Sequence, residues 1–159
     1  DMCGGMKPGR TLKAVIPGGS SVPIMTAAET EDCCLDYEGV VARGSMLGSA
    51  GMIVMDDSTD MVYQIWRLAR FYAHESCAQC TQCREGTAWT TKILERILAG
   101  KGKAADLDLL LSLSENMTGK TICVLSDSCA APIVSGIAKF RSEFDAYLSG
   151  ARQPALAMA

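Results

Sequence analysis

Cys77, Cys80 and Cys83 stand three residues apart in the run Cys77-Ala78-Gln79-Cys80-Thr81-Gln82-Cys83, and that spacing constrains the chain more than any other feature. Three thiols so placed lie on one side of a tight loop. They can take three corner irons of a [4Fe-4S] cubane and leave the fourth iron to a thiolate from elsewhere in the chain. Structural zinc sites usually pair two cysteines of one knuckle with two ligands of another, so a third cysteine at equal spacing is surplus to them. The spacing therefore favours the cubane, with zinc and unligated or disulfide-bonded thiols as the alternatives. The bacterial ferredoxin run would continue with Cys-Pro four residues on, where this chain has Thr87-Ala88, so the fourth ligand lies further away.

Two cysteines downstream compete for that role. Cys123 sits in Thr118-Gly119-Lys120-Thr121-Ile122-Cys123, a short link between helical patterns, with Gly119 free to bring the backbone close to a cluster. Cys129 falls in an alanine-rich stretch that reads as helix, where a small thiol packs as an apolar residue. Cys123 is the preferred fourth ligand. Two titratable residues flank the triple-cysteine segment. His74 suits the role of capping carbonyls at a helix C-terminus. Arg84 either offsets the negative charge of a thiolate-ligated cluster or pairs with Glu85 or Glu95.

Composition excludes several classes. With 48% apolar and 21% charged residues and a net charge of -3, the chain is neither a disordered protein nor a nucleic-acid binder. Eight cysteines in 159 residues would suit a secreted disulfide scaffold, but such scaffolds are shorter, and a reducing compartment fits better. The apolar stretch Met46–Met55 is interrupted by Gly48 and Gly51 and is too short for a bilayer, so a water-soluble chain without direct membrane insertion is expected. The sequence opens on Asp1 with no initiator methionine, and Cys3-Gly4-Gly5 resembles the C-cap of a helix whose body is missing, which suggests a fragment.

Periodicity predicts an α+β chain. Thr11–Pro17 alternates like a half-buried edge strand, and Gly18-Gly19-Ser20-Ser21 reads as a flexible turn in preference to a phosphate cradle. Val22–Tyr37 is irregular, with Cys33-Cys34 as structural filler, and Met52–Met55 suits a buried strand. Four helices follow. Asp60–His74 has Ser58 or Thr59 as N-cap and an apolar face of Met61, Ile65, Leu68, Ala69 and Tyr72. Gly86–Ala99 buries Trp89, Ile93, Leu94, Ile97 and Leu98. Asp106–Met117 is leucine-rich, and Asp127–Leu148 is the longest. Short links between them suggest an antiparallel bundle with both cysteine segments at one end. The expected layout is a small mixed unit over residues 1–57, a helical iron-sulfur domain over 58–150 and a tail over 151–159.

Glu75-Ser76-Cys77-Ala78-Gln79-Cys80-Thr81-Gln82-Cys83-Arg84-Glu85-Gly86-Thr87, together with Lys13–Ser21 and Gly44–Ser49, resembles the C-terminal part of the NADH-binding flavoprotein subunit of respiratory complex I. Diaphorase subunits of NAD-reducing hydrogenases and NAD-dependent formate dehydrogenases share the module. The resemblance implies a partial SLBB-type β-grasp unit followed by a four-helix bundle carrying a [4Fe-4S] cluster. It places the four ligands on Cys77, Cys80, Cys83 and Cys123. The family usually has Gly where Ala78 stands, Pro where Gln82 stands, and Gly-Asp-Ala where this chain has Ser126-Asp127-Ser128-Cys129.

The resemblance further implies electron transfer between the cluster and an FMN, with FMN and NAD(H) bound by an upstream part of the full subunit. Partners would be a thioredoxin-like [2Fe-2S] subunit and a ferredoxin-type subunit, and the location cytoplasmic or peripheral on the cytoplasmic face of a membrane. No catalytic residue is assigned, because no glycine-rich strand-to-helix turn for a dinucleotide is present and the chain alone should not turn over NADH. The competing expectation is a metal-stabilised interaction module without a redox role.

Overall fold

The computed structural model describes residues 4–155, so the Cys3 part of the expected helix cap and the last residues of the expected tail lie outside the described residues. The architecture is α+β, and the chain divides into two compact units, residues 1–59 and 60–159. In the first unit, β1 (Leu12–Ile16), β2 (Met25–Thr26) and β3 (Ile53–Asp56) form an antiparallel sheet in the order β2-β1-β3. Val15 pairs with Met25 on one side and with Val54 on the other.

Two sequence expectations are corrected here. β1 is the central strand, paired on both edges, and it buries three successive residues, Ala14, Val15 and Ile16, so both of its faces are covered. β3, expected to be buried, is the outer strand and leaves Ile53 and Val54 exposed. Gly18 answers a packing need: a Cβ there would stand 2.5 Å from the Met46 carbonyl oxygen. Two short helices complete the unit, α1 (Ala27–Thr30), opened by a Thr26–Glu29 capping box, and α2 (Tyr37–Ala42), capped by Asp36. Of the expected filler pair, Cys34 is exposed and fills no space, while Cys33 is half-buried and lines a small cavity of about 120 Å³ with Leu35, Val40 and Met52.

The second unit is helical: α3 (Met61–Glu75), α4 (Thr81–Leu98), α5 (Ala105–Met117), α6 (Leu125–Lys139) and α7 (Arg141–Leu148). α3 packs on α4 and α6, α5 packs on the same two, and α7 closes against α3, α4 and α6. Asp60, rather than Ser58 or Thr59, caps α3 by accepting from the Tyr63 amide. The two residues before it are occupied with the Asp56 carboxylate.

The single last helix expected over Asp127–Leu148 is broken at Phe140. Its amide closes α6 on the Gly136 carbonyl, and its own carbonyl opens α7 toward Glu143. The turn lets Phe140, Phe144 and Tyr147 enter the core together. α4 begins five residues earlier than expected, and its inner stripe runs Cys83, Gly86/Thr87, Thr90/Thr91, Leu94, Ile97/Leu98. Trp89 falls off that 3.6-residue stripe and is 51% exposed.

Buried and half-buried polar groups hold the link between α4 and α5 and one end of the unit. Asp106, on α5, accepts from Arg96 Nε at 3.1 Å and from the Lys103 amide at 2.8 Å. Asp60 Oδ2 accepts from the Tyr147 hydroxyl at 2.6 Å and pairs with Arg152 Nη2 at 3.3 Å. Glu143 accepts from the Met61 amide at 3.2 Å and pairs with Arg152 Nη1 at 3.1 Å. Among the described residues no helix is long and apolar enough to cross a membrane.

Candidate metal centre

The triple-cysteine segment is part loop and part helix. Ser76 ends α3 in an extended conformation, Cys77 lies in the connecting loop, Cys80 is the N-cap of α4, and Cys83 sits in its first turn. A helical step carries the Cys83 sulfur inward, so it is buried while Cys77 is exposed and Cys80 half-buried. The N-cap of α4 has no side-chain partner. Its first amides are therefore open toward this end, and the positive helix terminus favours thiolates beside it. α6 likewise starts at Val124 without a side-chain cap, one residue after Cys123.

The two expected cysteine segments meet. The Ile122 amide donates to Cys80 Sγ at 3.4 Å, which brings the α5–α6 link against the α3–α4 link. Cys123 follows on that link and is exposed. The link itself is tied to the first turn of α6: the Gly119 amide donates to Asp127 Oδ1 at 2.9 Å, and the Thr121 and Ser126 hydroxyls stand 2.6 Å apart. Gly119 has φ +69 and serves as the left-handed residue after α5.

Cys129 is on α6 and fully buried. Loss of solvation pushes its thiol up to about 12, and the nearby Cys83 sulfur adds to the rise. His74 is exposed, and its Nδ1 stands 2.9 Å from Glu75 Oε1, so it does not cap the helix carbonyls as expected. Arg84 pairs with Glu85 at 2.9 Å, while Glu95 accepts from Trp66 Nε1. The other end of the Arg84 guanidinium donates to the Ala78 carbonyl at 2.9 Å and so braces the loop.

Sequence reasoning missed the polar groups around the sulfurs. The Ser76 hydroxyl lies 3.3 Å from Cys83 Sγ and accepts from the Ala78 amide at 3.3 Å. Ser126 and Asp127, which hold the second link, carried no signal beyond being polar residues near a helix start. The donor set suits a sulfur-ligated cluster: cysteine sulfurs from two links, hydrogen-bond partners on two of them, and two helix N-termini without side-chain caps. Among the described residues no group of three Cys, His, Asp or Glu side chains is already gathered around one point.

Ala78 is the strained residue of the loop, at φ +63, a left-handed conformation that costs an L-residue about 1–2 kcal/mol. Ala78→Gly is expected to raise the stability of the chain by about 0.5–1 kcal/mol after the larger unfolded-state freedom of glycine is set against it. Thermal melts of the two proteins check this, and a lower melting temperature for the variant would show that the loop does not hold this conformation.

Residues 63–147 match the family model described as the NADH-ubiquinone oxidoreductase-F iron-sulfur binding region. The chain is 48% identical over 144 residues to an F-type NADH-quinone oxidoreductase subunit of Rhizobium meliloti (strain 1021), covering 90% of this chain and 33% of that protein. It is 49% identical over 150 residues to the F-type NADH-quinone oxidoreductase subunit of Streptomyces coelicolor, covering 94% of this chain and 33% of the relative. The chain thus spans about a third of the length of the curated relatives it matches. Among solved structures, an NAD+-reducing [NiFe]-hydrogenase in the H2-reduced state superposes with a TM-score of 0.78 at 33% identity, over 87% of this chain and 23% of that one. With more than half its length in the family model, the chain belongs to the NADH-ubiquinone oxidoreductase-F iron-sulfur binding region family.

Proposed function

We propose that Cys77, Cys80, Cys83 and Cys123 hold a [4Fe-4S] cluster, and that this chain is an electron-transfer module of a multisubunit NAD(H)-linked oxidoreductase. The observation that carries the ligand assignment is the contact of the Ile122 amide with Cys80 Sγ, which sets the loop bearing Cys123 beside the triple-cysteine segment. When bound, such a cluster supplies one-electron exchange at a potential set by its surroundings. The chain's own part is to supply sulfur ligands, to place two helix N-termini toward them, and to shield the Cys83 side from water.

Helices α3–α6 are read as a four-helix bundle and the three-stranded unit as part of an SLBB-type β-grasp, with domains over residues 1–57 and 58–150 and a tail beyond. The names of the relatives and of the hydrogenase join NAD to a second redox reaction, which supports a role between a flavin and a further iron-sulfur acceptor. In a full subunit, FMN and NAD(H) would bind upstream. Neighbouring subunits, a thioredoxin-like [2Fe-2S] protein and a ferredoxin-type protein, would exchange electrons with this module in a cytoplasmic or membrane-peripheral complex.

The test is anaerobic reconstitution of the chain with iron and sulfide. The expected product has a broad visible absorption that bleaches with dithionite and a paramagnetic reduced state. Mixed with NADH and ferricyanide, the chain alone should give no turnover. A colourless protein that takes up zinc and no iron would replace this reading with a structural-metal module.

A further inference from the structure

We propose that Ser76 sets the reduction potential of the metal centre by donating its hydroxyl proton to the Cys83 sulfur, as the last link of a relay that begins at the Ala78 amide. The proposal rests on the reading of Cys83 as a cluster ligand.

The direction of the relay follows from the donors available. A hydroxyl has one proton to give and two lone pairs to receive with. The Ala78 backbone amide can only donate, and at 3.3 Å it occupies one Ser76 lone pair. Cys83 Sγ stands 3.3 Å from the same oxygen. A free thiol there could donate or accept, but a ligating thiolate has no proton, so ligation leaves the Ser76 hydroxyl as the donor. The amide polarises the hydroxyl and strengthens that donation.

The local backbone holds this arrangement in place. Ser76 ends α3 with φ −63 and ψ 124, and the left-handed turn at Ala78 brings its amide back to the Ser76 oxygen. Arg84, in the first turn of α4, grips the Ala78 carbonyl at 2.9 Å, so the element that carries Cys83 also anchors the residue that feeds the relay. Burial makes this hydrogen bond the one that counts. Cys77 and Cys123 are exposed, so water can donate to their sulfurs, whereas Cys83 is 7% exposed and depends on protein donors. Cys80 has the Ile122 amide, a backbone group that no side-chain substitution removes.

Hydrogen bonds to cluster sulfurs are one of the levers on potential. Adding an electron raises the negative charge on the sulfurs, so a donor stabilises the reduced state more than the oxidised one. No proton is transferred in the process: the hydroxyl keeps its hydrogen, and only the strength of the bond changes with the electron.

Ser76→Thr and Ser76→Val test this, because they have nearly the same shape and differ by a hydroxyl against a methyl. Each protein is reconstituted with iron and sulfide, and the midpoint potential is read by a titration followed through the reduced-state paramagnetic signal. Thr should stay close to the unsubstituted chain. Val should shift the reduction equilibrium about tenfold toward the oxidised form, about 59 mV lower for one electron. A Val variant with full iron content and an unchanged potential overturns the proposal and leaves the ligand assignment standing. If Val assembles no cluster, Ser76→Ala makes the same comparison with less bulk. If neither hydroxyl-free variant assembles one while Thr does, Ser76 is an assembly requirement and the proposal falls. An unsubstituted chain that takes up no [4Fe-4S] cluster would overturn the reading of the metal centre itself.

Discussion

Cys123→Ser is expected to leave a chain that assembles no intact [4Fe-4S] cluster, losing most of the visible absorption and any residue of it belonging to a three-iron form, while Cys129→Ala keeps both iron content and spectrum. The difference lies in where the two sulfurs stand. Cys123 is exposed on a link that already touches the triple-cysteine segment through the Ile122 amide, so its sulfur can turn to a cluster without moving a helix. Cys129 is fixed on α6 in the core. Its replacement by alanine removes one buried sulfur from the packing, a cost of about 1 kcal/mol to stability and nothing from the ligand set. Iron and sulfide analysis with visible spectra of the two variants decides the matter. If Cys129→Ala strips the cluster and Cys123→Ser does not, the fourth ligand is Cys129.

Removing the cluster by anaerobic chelation should destabilise the helical unit by several kcal/mol, a fall in melting temperature on the order of 10–20 °C. The two ends of this unit are held differently. At one end Asp60, Glu143, Tyr147 and Arg152 form a network that joins the start of α3 to α7 and the residues after it. Burial and the Asp60 hydrogen bond push the Tyr147 hydroxyl above its ordinary range, so this clamp keeps its proton into alkaline pH. At the cysteine end the two links meet through an N–H to sulfur contact at 3.4 Å, a weak tie. Four iron–sulfur bonds across the same gap would join the α3–α4 link to the α5–α6 link covalently. Hydrogen exchange should therefore speed up around residues 76–84 and 118–128 in the apo form before it does around Asp60 and Tyr147. A chain that melts at the same temperature with and without its cluster would show that the bundle does not depend on it.

The helices are legible in the sequence to the extent that an apolar stripe of period 3.6 marks them, and α3 and α5 lie within about a residue of their expected bounds. The failures share a cause. Periodicity records which residues are apolar but not which way a helix is turned, so it points Trp89 inward although Gly86, Thr87, Thr90 and Thr91 take the inner face of α4. The same pattern runs unbroken through Phe140, because a turn that buries Phe140 along with Phe144 leaves the spacing of apolar residues almost unchanged. Strand position in the sheet is equally hidden: an apolar run reads the same in a central strand and an outer one, and only the pairing of β1 with both neighbours separates them.

Local chemistry is written in the spacing of residues along the chain, which is why the triple cysteine announces sulfur ligation and the family to which it belongs. Contacts between residues far apart in the sequence are not. That Cys80 is met by the Ile122 amide and that Asp60 closes on Tyr147 and Arg152 depend on how the helices pack. Packing is a sum of many small, non-directional terms over the whole core, so no short stretch of sequence specifies which of its polar groups will meet.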